Sequence, residues 1–206
     1  MAGRKTNEVV LYIHGKGGSA DESEHYRQFF PGTDVYGFDY KSDNPWEAKQ
    51  EFADKAAELS EKYHRIILIA GSIGAYFSMN AGIGRFIDKA FFISPIVDFE
   101  KLISDMIDWA GTSECELEKR KIIPVDSGED LSWDYLQYVR NHKISWDVPT
   151  EILYGSNDHL QSIDTIQEFA MKEAAKLTIM EGGEHWFHTD EQMNFLDQWL
   201  RMKISE

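Results

Sequence analysis

A single serine lies among small residues directly after the most apolar run of the sequence. Ile66 to Ala70 is typical of a buried parallel strand, and Gly71-Ser72-Ile73-Gly74 follows it. A sharp strand-to-helix turn needs small residues two positions before and after its centre, and Ala70 and Gly74 occupy those positions. Such a turn exposes the Ser72 hydroxyl and directs the next backbone N–H groups toward one point. The pattern therefore predicts a nucleophilic serine with part of an oxyanion site.

The same residues also fit two other kinds of loop. One is a glycine-rich connection between a strand and a helix with no catalytic role, and the other is a phosphate-binding or dinucleotide-binding loop. The second is disfavoured because no further glycine pair lies at the required spacing and no Gly-Lys-Ser/Thr sequence follows. The interpretations can be distinguished by asking whether the rest of the chain supplies a base and an acid for Ser72.

Two such partners follow other strand-like runs. A serine hydroxyl needs a base, and a histidine base is best oriented by a carboxylate. Asp158 follows the apolar run 152–154, and His185 follows the run 177–180. Both residues lie in short loops at the carboxyl ends of predicted parallel strands, where ligands bind in open α/β sheets. Their order along the chain, Ser then Asp then His, is the order that accompanies a serine on this kind of turn.

Other polar residues near these loops offer alternative or supporting roles. His188 is the alternative base, and Asp98, after the strand that ends at Ser94, is the alternative acid. His14 is expected to brace the loop that follows the first strand, and His159 to line the loop of the acid. The remaining histidines are interpreted as surface or helix residues: His25, His64 and His142.

Strand-like and helix-like runs alternate along the chain. Ser19 and Glu22 fit a capping box at the start of a helix, and a clear helical stripe runs from Ala48 to Tyr63. This alternation predicts an α/β protein with a parallel sheet covered by helices on both faces. The six predicted strands are 9–13, 34–39, 66–70, 89–93, 150–154 and 176–180.

One region, residues 97–148, interrupts the alternation because it contains no strand-like run. A helical stripe begins at Phe99, a second helix is predicted over Leu131–Val139, and the acidic stretch Glu114–Glu118 between them is expected to be solvated and mobile. The region leaves the sheet at its carboxyl edge, so we interpret it as a small helical cap over the site. Packing against the body of the domain is the alternative. Four aromatic residues of the cap are expected to form an apolar acyl pocket: Trp109, Trp133, Tyr135 and Tyr138.

Length and composition favour one globular domain spanning residues 1–206. The net charge of −15 disfavours a nucleic-acid backbone or an anionic membrane surface as a partner. The one cysteine, Cys115, cannot form an intrachain disulfide, and neither a signal peptide nor an apolar run of about 20 residues is present. We therefore expect a cytoplasmic protein. No metal site is expected, because no His, Cys or carboxylate pair has the spacing of metal ligands, and no cofactor is expected either.

Four motifs, taken in order, resemble those of the α/β-hydrolase superfamily over nearly the full chain. They are His14-Gly15-Lys16-Gly17-Gly18, Ala70-Gly71-Ser72-Ile73-Gly74, Gly155-Ser156-Asn157-Asp158 and Gly182-Gly183-Glu184-His185-Trp186-Phe187. The resemblance implies a three-layer fold with about six mostly parallel strands and a small helical cap. It implies that Ser72, Asp158 and His185 form a catalytic triad. It also implies that the backbone N–H groups of Lys16 and Ile73 form the oxyanion hole.

The chain departs from the larger family in three respects. One is that Asp39-Tyr40-Lys41-Ser42 lacks the glycine-rich turn often found after the strand that ends near Asp39. The family's first two strands have no counterpart before the strand that precedes His14, which predicts a compact, six-stranded member, and Ala70 replaces the usual glycine. The expected function is that of a serine hydrolase that cleaves small-to-medium carboxylic esters through an acyl-enzyme on Ser72, most similar to compact esterases, lipases or serine aminopeptidases. Thioester and small-peptide or amide hydrolysis are alternatives. A non-catalytic ligand-binding protein of the same fold is the alternative from a different class.

Overall fold

Six parallel strands form the centre of the structure, a computed structural model that describes residues 6–125 and 130–205. The strands are β1 (Thr6–Ile13), β2 (Asp34–Gly37), β3 (Tyr63–Gly71), β4 (Lys89–Ile93), β5 (Ile122–Ile123), β6 (Leu131–Ser132), β7 (Thr150–Gly155) and β8 (Lys176–Met180). The order across the main sheet is β2-β1-β3-β4-β7-β8, and β5 and β6 form a separate antiparallel pair. The six predicted strands and their parallel arrangement are confirmed.

Helices cover both faces of this sheet, as predicted. They are α1 (Ser23–Tyr26), α2 (Pro45–Lys62), α3 (Ile73–Asn80), α4 (Phe99–Trp109), α5 (Glu114–Arg120), α6 (Trp133–Asn141), α7 (Ile163–Lys172) and α8 (Asp190–Ser205). Among the described residues, none of these helices is both long and apolar enough to cross a membrane.

Alternate residues of each strand enter two separate apolar clusters, one on each face of the sheet. On one face Leu68 of β3 packs in a cluster with Phe52 of α2 and Phe77 of α3. On the other face Ile69 packs in a second cluster with residues of α1 and α8, including Trp199. Side chains alternate along a strand, so an uninterrupted apolar run such as 66–70 can supply both clusters. The result is the predicted three-layer arrangement.

The parallel register brings the carboxyl ends of neighbouring strands to one edge. Gly71 at the end of β3 lies opposite Ile93 of β4, and Gly155 at the end of β7 lies opposite Met180 of β8. The loops after β1, β3, β7 and β8 therefore leave the sheet side by side. This edge is where the four sequence motifs meet.

Residues 97–148 are inserted between β4 and β7 and contain α4, α5, α6 and the small antiparallel pair. The prediction that this region has no strand is wrong at β5 and β6, which are two residues long and too short to have a periodic pattern. The acidic stretch is helical within α5, and Leu117 in it is completely buried in the first apolar cluster. The expectation that Glu114–Glu118 is wholly solvated is therefore wrong for Leu117, because one turn of α5 faces the domain.

Candidate active site

Ser72 lies at the tight turn between β3 and α3 in a strained backbone conformation. Its φ is 48° and its ψ is −123°, values that residues with a side chain rarely adopt. A Cβ atom at Gly74 would lie 2.5 Å from the carbonyl oxygen of His14, and one at Gly15 would lie 3.0 Å from the Ser72 Cβ. A side chain is therefore excluded at Gly74, just after Ser72, and disfavoured at Gly15 in the loop that faces the turn. The sequence pattern around Ser72 has this steric cause.

The Ser72 hydroxyl begins a continuous hydrogen-bonded chain of three side chains. Its Oγ lies 2.8 Å from Nε2 of His185, and Nδ1 of the same ring lies 2.7 Å from Oδ2 of Asp158. The Asp158 side chain is fully buried, and the His185 side chain is 14% exposed. A histidine with a hydroxyl on one ring nitrogen and a buried carboxylate on the other can remove the hydroxyl proton. The structure thus brings together the three residues that sequence analysis assigned to a triad.

Asp158 is oriented by the backbone of its own loop. Its Oδ1 accepts a hydrogen bond of 2.8 Å from the Leu160 N–H, which leaves Oδ2 directed at His185. Burial, followed by the charge of Asp158, raises the pKa of the Tyr154 hydroxyl to about 12. The bond from the Leu160 N–H sets the position of the carboxylate before any substrate binds.

The acid loop and the histidine loop are in direct backbone contact. A Cβ atom at Gly155 would lie 2.4 Å from the Gly183 carbonyl oxygen, so only glycine permits this approach. The Asn157 N–H donates to the Gly183 carbonyl at 2.8 Å, and the Gly182 N–H donates to the Ser156 hydroxyl at 2.8 Å. These contacts fix the distance between the two loops that carry the acid and the base.

The loop after β1 is braced in the way predicted for His14. The His14 ring stacks on Tyr40 with centroids 4.4 Å apart, and its Nδ1–H donates to the Gly15 carbonyl at 2.8 Å. The Tyr40 hydroxyl donates to the His14 carbonyl at 3.0 Å. The loop is therefore held against Ser72, and Lys16 follows Gly15 at the point of closest approach. Ile73 is the first residue of α3, directly after Ser72.

The alternative base and acid have other partners. His188 stacks on Trp186 with centroids 4.6 Å apart, and its Nδ1 lies 2.7 Å from the Trp186 carbonyl oxygen. Asp98 caps α4 by accepting a hydrogen bond of 2.9 Å from the Lys101 N–H. Neither residue contacts Ser72 in the described part of the chain.

A cleft of about 690 Å³ opens beside Ser72 on the side of the second apolar cluster. Its walls come from the loop after β1, from α1, from the histidine loop and from α8. The lining combines apolar and polar groups: Tyr12, Glu22, His25, Tyr26, Ile93, Trp186, Phe187, Met193 and Leu196 are among them, together with Ser72, His185 and Lys16. A cleft of this size holds a small organic ligand.

The cleft differs from the acyl pocket that sequence analysis expected under residues 97–148. Tyr135 stacks on Phe99 at 4.7 Å and packs on Trp46, Tyr138 also packs on Trp46, and Trp109 is 57% exposed. None of the four aromatic residues chosen from the insertion, including Trp133, lines this cleft. An aromatic stripe marks a face that will be buried, and here neighbouring helices cover it.

Sequence analysis did not identify the wall formed by α1. His25 was interpreted as a surface residue, yet its Nε2 lies 2.8 Å from Asp197 of α8 and it lines the cleft. Glu22 was assigned only to a capping box, whose Ser19 N–H bond to Glu22 is present at 3.0 Å. The apolar residues Tyr26, Phe29 and Phe30 are the sequence signal that this segment packs on the sheet near the site. His64 is exposed on β3, His159 is exposed in the acid loop, and His142 stacks on Tyr138.

A metal centre has no support in residues 6–125 and 130–205, where no three His, Cys, Asp or Glu side chains are grouped closely enough to hold an ion. The site as described therefore consists of a hydroxyl, an imidazole and a carboxylate beside a cleft. Acid–base and nucleophilic chemistry require no more than these groups.

The fold agrees with that of solved hydrolase structures. Est1E from Butyrivibrio proteoclasticus aligns with 98% of this chain and 88% of its own, at 15% identity and a TM-score of 0.74. The chain has the α/β-hydrolase fold. Alpha/beta hydrolase domain-containing protein 10 from mouse aligns with 98% of this chain and 91% of its own, at 13% identity and a TM-score of 0.73.

A third similar structure is named after a different class of hydrolase. The proline iminopeptidase-related protein TTHA1809 from Thermus thermophilus aligns with 94% of this chain and 89% of its own, at 17% identity and a TM-score of 0.63. No family model matches the sequence, and no curated protein matches it. Because one fold supports many activities, the function has to be argued from the site.

Proposed function

We propose that this protein is a serine hydrolase that cleaves carboxylic esters through an acyl-enzyme on Ser72. The observation that carries the proposal is the hydrogen-bonded chain from the Ser72 Oγ through His185 to the buried Asp158, with distances of 2.8 and 2.7 Å. His185 takes the proton from Ser72 as the oxygen attacks the ester carbonyl, and then gives it to the departing alcohol. Asp158 holds the ring in the required tautomer and stabilises the imidazolium. Water repeats the sequence on the acyl-enzyme and releases the acid.

The oxyanion of each tetrahedral intermediate would be bound by two backbone N–H groups. We assign these to Ile73, at the start of α3, and to Lys16, in the loop held against Ser72 by Gly15. The N-terminal end of a helix carries partial positive charge, which adds to the stabilisation at Ile73. The bracing of the loop by His14 and Tyr40 supports this role, because a preorganised donor needs no rearrangement during the reaction.

The cleft supports small-to-medium acyl groups as the substrate class. Its volume of about 690 Å³ and the apolar side chains of Ile93, Met193 and Leu196 suit a short alkyl chain or one aromatic ring. One solved structure of Est1E has ferulic acid bound, so an aromatic acid ester belongs among the test substrates. Thioesters and small amides would use the same attack on a carbonyl. They are the second candidate class, and the carboxylate Glu22 in the cleft favours small amides that carry a free amino group.

Residues 97–148 would form the cap of this hydrolase. The beginning of the insertion is tied to the catalytic loops, since the Ile96 N–H donates to the Ser72 carbonyl at 3.2 Å and the Val97 N–H donates to Gln161 at 3.0 Å. The cap would therefore respond to changes around the nucleophile and the acid.

The direct test is labelling with a fluorophosphonate, followed by peptide mass mapping and by rates on p-nitrophenyl esters of increasing chain length and on methyl ferulate. The wild type should form one adduct on Ser72, and Ser72→Ala should lose both the adduct and several orders of magnitude in turnover. Ser94→Ala is the matched control, because Ser94 shares the positive φ of Ser72 but is buried, directly after the neighbouring strand. A folded wild type that forms no Ser72 adduct and hydrolyses no ester, thioester or amide would identify the protein as a non-catalytic ligand-binding member of this fold.

A further inference from the structure

Directly before α1, the wall of the cleft carries a carboxylate that the reaction itself does not use. Glu22 accepts a hydrogen bond of 3.0 Å from the Ser19 N–H and a second one from the Tyr12 hydroxyl. Both donors are neutral, and in the described part of the chain Glu22 makes no ion pair. A carboxylate has about four acceptor positions, and Glu22 is exposed where it lines the cleft, so roughly half of its capacity is open to a ligand.

The surroundings of Glu22 are aromatic and negative. The Tyr12 and Tyr26 rings lie 5.0 Å apart, and both residues line the cleft with Glu22. Burial, followed by the charges of neighbouring groups, raises the pKa of both tyrosine hydroxyls, and Glu22 contributes to each shift. Asp197 contributes to the shift at Tyr26, and its own partner is His25. Negative charge and aromatic faces together favour a cation at this end of the cleft.

The opposite charge in the cleft belongs to Lys16. Lys16 also lines a second cavity of about 150 Å³, formed with Tyr40 and Phe77 on the other side of the loop. Lys16 thus lies between the two cavities, beside Ser72, whereas Glu22 lies toward α1. The overall charge of −15 adds a long-range attraction for cationic molecules.

We propose that Glu22 binds a protonated amine on the acyl chain of the substrate, so that the preferred esters or amides carry an ammonium group at the end of a short spacer. The inference rests on the proposed hydrolase function and assigns its substrate class. An N–H-bearing cation fits better than a quaternary one, because it can donate to the unused acceptor positions of the carboxylate.

The distance between Ser72 and the Glu22 carboxylate limits the length of the spacer. A Cβ at Gly15 would lie 3.0 Å from the Ser72 Cβ, and one at Gly18 would lie 2.8 Å from Oε1 of Glu22. Gly15 and Gly18 are the ends of a turn closed by a hydrogen bond of 3.2 Å. Because the ends of such a turn are under about 7 Å apart, Ser72 and the Glu22 carboxylate lie within about 16 Å of each other. This value is an upper limit, and an alkyl spacer of several methylene groups beside Ile93 and Leu196, which line the cleft, can join the two ends when they lie closer than that.

The test compares two p-nitrophenyl esters that differ only at the end of the acyl chain, the 6-aminohexanoate and the heptanoate, at pH 7. The wild type should have the higher kcat/KM on the 6-aminohexanoate. Glu22→Gln should lower the ratio of the two values by roughly 10- to 100-fold, the usual effect of losing a charged hydrogen bond, mainly through KM on the amine. Glutamine keeps an oxygen for the Ser19 N–H, so the capping box is retained.

Glu24→Gln is the matched control, because Glu24 lies in α1 two residues after Glu22 and pairs with Arg27 at 2.8 Å, outside the cleft lining. It should leave the ratio unchanged. As a measurement that needs no variant, hexylammonium should inhibit heptanoate hydrolysis by the wild type at least tenfold more strongly than 1-hexanol does. Hydrolysis of the heptanoate with no preference for the amine, or an equal ratio in Glu22→Gln, would overturn the inference and leave the hydrolase proposal standing. Failure of the wild type on both esters would instead contradict the proposed function.

Discussion

Replacing Asp158 by asparagine should inactivate the enzyme through the tautomer of one histidine. The Asp158 Oδ1 already accepts a hydrogen bond of 2.8 Å from the Leu160 N–H. In Asp158→Asn the amide oxygen has to stay at that N–H, because turning it away would set an amide N–H2 group against a backbone N–H. The amide nitrogen therefore faces Nδ1 of His185, 2.7 Å away in the wild type. An N–H donor at that position forces Nδ1 to be the unprotonated nitrogen.

The proton of the neutral ring then lies on Nε2, directed at the Ser72 Oγ 2.8 Å away. In this tautomer His185 cannot accept the serine proton. The wrong tautomer lowers kcat about 10,000-fold in the serine protease template, which corresponds to about 5.5 kcal/mol of transition-state stabilisation. Because the Asp158 side chain is fully buried and asparagine has nearly the same volume, the fold should be retained.

The measurement is kcat on a short p-nitrophenyl ester, together with the rate of fluorophosphonate labelling and a thermal melt. Asp98→Asn is the control, since Asp98 caps α4 and its loss should cost at most about 1 kcal/mol of stability without reducing kcat. A folded Asp158→Asn protein that keeps more than about a tenth of the wild-type kcat would refute the reasoning, since a correct tautomer would then persist without the carboxylate. A large loss of kcat in Asp98→Asn would indicate that Asp98, and not Asp158, is the acid of the triad.

Further substitutions test the loop contact and the position of the acyl pocket. Gly155→Ala should lower kcat and destabilise the fold by roughly 1–3 kcal/mol, because its Cβ would lie 2.4 Å from the Gly183 carbonyl oxygen; unchanged kcat and melting temperature would contradict this. Tyr135→Ala should cost about 3–5 kcal/mol in denaturant unfolding without altering the chain-length preference, because Tyr135 packs on Phe99 outside the cleft. Met193→Trp should shorten the longest acyl chain that is hydrolysed, because Met193 lines the cleft, and an unchanged chain-length profile would place the acyl group elsewhere.

Local sequence determined the strands and the three catalytic candidates. The apolar runs had to be buried strands, and the small residues around Ser72 had to allow a turn that side chains would block. Asp158 and His185 follow their strands directly, so a parallel sheet carries them to the same edge as Ser72 wherever the helices lie. These features depend on a few consecutive residues and on a strand order that the alternation already implies.

Tertiary structure alone decided which surfaces form the cleft. The contact between His25 and Asp197 joins residues 172 positions apart, and no local pattern in either segment indicates the other. Likewise the stripe containing Tyr135 shows that this face is buried, but it does not show that Phe99 and Trp46 cover it while the cleft opens toward α1. A hydrophobic period identifies a face that must be buried. It does not identify the neighbour that buries it, because the hydrophobic effect is non-directional. The neighbour that covers the face is selected only when all the elements pack together.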